Sequence, residues 1–132
     1  MSLLDPRLFR IAFWLGILTV FGFAMLTQPP ELGQTIGPRV DETVTAVLTV
    51  NDKAQHLLAF GVLAALAFRG WPGIATRKVL LGLSAVGALI ELVQGTPLIG
   101  GDVELADWLA DTLAVTVVAL VVFLARRMQR AG

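Results

Sequence analysis

An all-α, integral membrane four-helix bundle is predicted for this 132-residue chain by three observations. Hydrophobic residues make up 56% of it and charged residues only 15%, with a mean hydropathy of +0.79, too apolar for a soluble single domain of this size. Four apolar runs, the second short in its fully apolar part so that Asp52 to His56 dip into the interfacial layer, are separated by glycine- and proline-rich punctuation. The basic residues gather at alternate ends of these runs, so a formal net charge of zero conceals strong segregation along the chain. No repeat, low-complexity tract or hinge divides the sequence, and residues 1–132 read as one domain with spans at about 8–27, 53–70, 77–95 and 104–126.

The first helix opens at Asp5-Pro6, an N-cap acceptor followed by the ring that suits the first helical position. Its apolar part, Leu8 to Leu26, extends about 28 Å at 1.5 Å per residue, enough for a hydrocarbon core. A secretory signal is the competing interpretation of Arg7, Arg10 and the run that follows. The length of that run, and the lack of a clear small-x-small cleavage site before Gln28-Pro29-Pro30, favour a retained helix.

Pro29 to Asn51 form the one substantial loop. Within it Val40, Val44, Val47 and Leu48 repeat at helical spacing, which predicts a short interfacial helix in this first outer loop. A strand is the alternative for the β-branched stretch Thr43 to Val50, but its edges would stand unpaired beside lipid. The second span starts at Asp52, where Asp52 and Gln55 form a box-like D-x-x-Q cap, and ends near Phe68-Arg69-Gly70-Trp71-Pro72. Thr76 is positioned to cap the third helix, which stops at Gly95-Thr96-Pro97. The fourth follows Gly100-Gly101, with Asp102 as its expected N-cap, and runs to Arg126-Arg127. Small residues at four-residue spacing, Gly61 and Ala65, Ser84 and Ala88, and Ala106, Ala110 and Ala114, suggest close packing of the second, third and fourth helices, with the first more peripheral.

Arg7, Arg10, Arg69, Arg77, Lys78, Arg126, Arg127 and Arg130 fall at the chain ends and in the second loop, whereas only Arg39 and Lys53 fall on the opposite side. The positive-inside rule then places both termini in the cytoplasm and every acid except Asp5 toward the exterior. His56, the only histidine, comes to one depth with Asp52, Lys53, Glu91, Gln94, Asp107 and Asp111. Ionisable groups inside membrane helices are rare and mark functional sites. His56, Asp107 and Asp111 are the candidate catalytic set, and Asp52, Lys53, Glu91 and Gln94 the candidate binding residues. Each also has a structural explanation: Asp52 as a cap, Lys53 snorkelling to headgroups, and Glu91 with Gln94 as a wetted helix end. Asp102 and Glu104 are explained by the helix dipole alone.

Three blocks carry a resemblance. Asp52-Lys53-x-x-His56-x-x-x-Phe60, then Glu91-x-x-Gln94, then Asp107-Trp108-Leu109-Ala110-Asp111-Thr112-Leu113 resemble, in order and spacing, the blocks of the VanZ-like membrane proteins, over roughly Asn51 to Ala114. The resemblance implies a small multi-pass protein of the bacterial cytoplasmic (inner) membrane that acts at the cell envelope, in a family linked to resistance to the glycopeptide antibiotic teicoplanin. Membrane lipids, and a lipid-linked envelope component, would be its partners. Two departures stand out: Gly100-Gly101-Asp102 lacks the arginine usual before the last block, and Ala114 replaces a common glycine. The missing arginine weakens any phosphate- or carboxylate-recognition role.

On chemistry alone, an imidazole among carboxylates partly out of water has the ingredients of a general acid–base pair. The same set, His56 with Glu91, Asp107 or Asp111, can also hold a divalent cation through nitrogen and oxygen ligands, although no cofactor is required. The absence of cysteine excludes disulfides and thiolate chemistry; no G-x-S-x-G elbow, glycine-rich phosphate loop or basic nucleic-acid face occurs. Two classes of function remain. One is an outward-facing His/carboxylate pocket that binds or modifies an envelope component or an amphiphilic drug. The other is a non-enzymatic structural subunit or part of an ion or proton path.

Overall fold

The computed structural model describes residues 5–26, 42–97 and 103–132, with backbone alone for 42–52. All of its regular structure is helical: α1 (Pro6–Leu26), α2 (Glu42–Gly70), α3 (Thr76–Gln94) and α4 (Leu105–Ala131), with no strand among the described residues. α1 and α4 each contain a stretch long and apolar enough to cross a membrane.

The start of α1 follows the expected chemistry, since Asp5 Oδ1 accepts the Arg7 backbone N–H at 2.8 Å and Pro6 takes the first helical position. α2 differs from expectation. Instead of a short surface helix followed by a separate span, Glu42–Gly70 is one continuous helix of 29 residues. No glycine or proline occurs between Glu42 and Phe60, so nothing in the backbone stops the helix where hydropathy falls. Asp52 therefore lies inside α2 and does not cap it. Residues 29–41 of the predicted loop lie outside the described residues, as does Asp102, but Asp102 is not the cap of α4: Glu104 holds that position and the helix begins at Leu105. α3 begins one residue earlier than a Thr76 cap requires: Ala75 occupies the cap position, without a side-chain bond. Its end at Gly95 is as expected, with Gly95 N–H donating to Glu91 O at 3.0 Å.

α2 packs along both α1 and α4, and α3 packs along α4 while barely touching α2. α1 touches α2 and, briefly, α3; it makes no contact with α4 and contributes no fully buried residue. The first helix is thus peripheral, as predicted. The core between α2, α3 and α4 centres on Phe60, Leu63, Ala64, Leu83, Ile90 and Val115. Those positions correct the small-residue stripes. Ala65 and Ala106 are exposed, and Gly61 meets nothing within 4 Å of an added Cβ. A 100° step per residue turns Gly61 and Ala65 away from the face that Phe60, Ala64 and Ala67 bury. Close approach occurs elsewhere: a Cβ on Gly16 would lie 2.8 Å from Leu63 Cδ2, and one on Gly70 3.1 Å from the Arg10 backbone N.

The molecule has two chemically opposite ends. At one, Arg10 Nε donates to Gly70 O at 2.7 Å, and Arg126 Nη1 and Nη2 donate to Ile74 O at 2.9 Å and Pro72 O at 2.8 Å. The guanidinium groups of Arg10, Arg69 and Arg126 lie over Trp71, Phe9 and Phe68. At the other end lie Lys53, His56 and the acids of α3 and α4.

Candidate functional site

α2 presents Lys53 and His56 on one face, three residues apart, and α4 presents Asp107 and Asp111, one turn apart. Because α2 and α4 pack along one another, these pairs meet. His56 Nδ1 lies 2.9 Å from Asp111 Oδ1, and its Nε2 lies 3.6 Å from Asp107 Oδ2, so each ring nitrogen faces a carboxylate. Lys53 Nζ donates to Asp107 Oδ1 and, at 2.7 Å, to Glu104 Oε2. One ammonium and one imidazole thus bridge Glu104, at the cap of α4, and Asp107 and Asp111 within it.

α3 adds the fourth acid. Glu91 is 4% exposed, and its Oε2 accepts the Glu104 backbone N–H at 2.9 Å. Its Oε1 is buried and takes no hydrogen bond among the described residues. Asp111 is 1% exposed, whereas the side chains of Lys53 and Glu104 are 24% and 56% exposed, so the cluster grades from a buried floor to a wet rim.

The floor is fixed by contacts between α3 and α4. Trp108 Nε1 donates to Ser84 O at 3.1 Å, and Ser84 Oγ and Thr112 Oγ1 are 3.0 Å apart. Gly87 lets the helices meet there, since a Cβ would stand 2.9 Å from Asp111 Oδ2 and 3.5 Å from Trp108 Cδ1. Gly87→Val is accordingly expected to lower stability by about 1–3 kcal/mol through overpacking, read as earlier thermal unfolding in detergent.

Of the residues singled out by sequence, Lys53, His56, Glu91, Asp107 and Asp111 come together. Gln94 is directed elsewhere: its Nε2 donates to Ala24 O at 3.1 Å, tying α3 to α1. Asp52 lies in α2 one residue before Lys53, and its side chain is outside the described residues. Glu104 is the residue that sequence reasoning passed over. It precedes Asp107 by three residues, a spacing that shares a helix face, but the dipole argument had already accounted for its charge.

Among the described residues, no group of three or more histidine and carboxylate side chains is arranged to hold a metal ion. Lys53 occupies the position between Glu104 and Asp107 that a cation would take. No protein-family model, curated protein or solved structure matches this chain.

Proposed function

We propose that the chain is a VanZ-like, four-span protein of a bacterial cytoplasmic membrane, with both termini inside, whose outer cluster binds the polar head of an envelope component or amphiphilic glycopeptide-type drug. The observation that carries the site reading is the meeting of His56, Lys53 and four carboxylates at one end of a bundle whose outer surface is apolar. Leu58, Leu81, Leu92, Leu18 and Val121 are all more than 60% exposed, and together they represent all four helices. Such a surface has lipid, and not water, as its natural solvent. The basic end, with arginines seated on aromatic rings, suits the cytoplasmic interface.

Reporter fusions test the topology: one after Arg130 is expected to report cytoplasm and one within Gly33 to Arg39 the exterior. The reverse result would remove the depth argument. The site is tested in cells whose tolerance to teicoplanin depends on the chain. His56→Ala and Asp107→Asn are expected to abolish that tolerance while the protein remains folded in the membrane. Variants that keep it would leave the cluster a structural feature. His56 with Asp111 at 2.9 Å is also the geometry of an acid–base pair, and modification of the bound component is the extension of this reading.

A conduction path draws less support. Beyond Asp111 toward the basic end, Thr112 is engaged with Ser84, Thr116 donates to Thr112 O at 2.7 Å, and the next layer is buried Leu83, Val115 and Ala119.

A further inference from the structure

We infer that the cluster takes a cationic head, specifically a primary ammonium carried on an amphiphile, and discriminates against phosphate heads. The inference rests on the proposed ligand site and names the chemistry of what enters it. Four carboxylates, Glu91, Glu104, Asp107 and Asp111, meet one ammonium, Lys53, and one imidazole, His56. Among the described residues the acids of the cluster outnumber its bases, and three of those acids are more than nine-tenths buried. Buried charge is costly unless paired, so a further positive group is favoured and a phosphate is repelled.

A second observation is independent of the charge count. Glu91 Oε1 is buried and takes no hydrogen bond among the described residues. An acceptor left open in an apolar interior calls for a donor. A primary ammonium supplies N–H groups as well as charge; a trimethylammonium supplies charge alone; an alcohol supplies a donor alone. The protein already contains a precedent, because Lys53 Nζ is itself a primary ammonium held between Glu104 and Asp107. The rim formed by Lys53 and Glu104 is the exposed side of the cluster.

The test uses the full chain purified in a neutral maltoside detergent, with binding read by native mass spectrometry and by the shift in thermal unfolding. The probes are dodecylammonium, dodecyltrimethylammonium, dodecanol and dodecyl phosphate. Dodecylammonium is expected to bind at least about tenfold more tightly than any of the others. Glu91→Met, which keeps the length and removes the acceptor, is expected to erase the preference over trimethylammonium. Glu104→Gln, on the wet rim, is expected to weaken dodecylammonium by about two- to fivefold, and it gives a reading even if the Glu91 variant does not fold. Nanodiscs of phosphatidylethanolamine and of phosphatidylcholine then separate the sources. Retention of the former lipid identifies a membrane headgroup, and indifference to it identifies a free amine amphiphile. Equal binding of dodecyl phosphate, or ammonium binding unchanged in both variants, overturns the inference. If phosphate binds and Asp107→Asn removes it, the site survives and only its charge class falls; if a folded protein binds no probe, and Asp107→Asn retains teicoplanin tolerance, both fall.

Discussion

Lys53→Met is expected to lower stability by about 3–4 kcal/mol, the largest effect of any single substitution at the polar end. Lys53 Nζ bridges Asp107 and Glu104, and Asp107 is only 8% exposed. Removing the ammonium leaves two neighbouring carboxylates with their shared counter-ion gone, in surroundings poor in water. The loss therefore measures an uncompensated charge more than the strength of the bond itself. Lys53→Met combined with Asp107→Leu should recover most of it, coming within about 1 kcal/mol of the parent, because neither partner is then stranded. Thermal or denaturant unfolding in detergent, run as a double-mutant cycle, makes the comparison. If the double variant is no better than the single, the Lys53–Asp107 bridge is not what holds this end.

Arg126→Ala should cost about 2–4 kcal/mol at the opposite end of the bundle. Its guanidinium donates to Ile74 O and Pro72 O and lies 5.4 Å from the Phe68 ring centroid, so one side chain of α4 ties down the connection between α2 and α3. That connection matters because α2 and α3 have little direct contact and rely on α4 to hold them together. Arg126→Lys keeps the charge but loses the planar fork that reaches two carbonyls, and should restore less than half of the loss. Faster proteolysis between Gly70 and Ala75 in the alanine variant would locate the damage. Equal stability of the alanine and parent proteins would show the clamp to be ornamental.

The helices were legible because apolar runs of this length, punctuated by Gly70, Pro72, Gly95 and Pro97, leave few other folds. The gathering of Lys53, His56, Glu91, Asp107 and Asp111 was legible from depth, since alternating helix direction brings groups far apart in sequence to one end. Rotation about each helix axis was not legible. Gln94 shares the depth of Glu91 but lies three residues on, and its amide reaches Ala24 of α1. Gly61 and Ala65 had the right spacing and the wrong azimuth, because packing selected the bulky stripe through Phe60 and Ala64. The continuous α2 was misjudged for a different reason: the drop in hydropathy before Asp52 suggested an end, while the absence of any glycine or proline there was the stronger signal.

The scarcity of contact between α2 and α3 also bears on how the chain is made. His56 and Asp111 are 55 residues apart, and Lys53 and Asp107 are 54 apart, so the bases of α2 are synthesised well before the acids that receive them. At about 5–20 residues per second the interval is on the order of 3–10 s. During it α2 can pair with α1, but α3 has no strong neighbour and Glu91 has no Glu104 amide to bind. α4 is thus the helix that completes the bundle, and a chain arrested before Asp107 would hold Lys53, His56 and Glu91 as exposed marks of unfinished assembly.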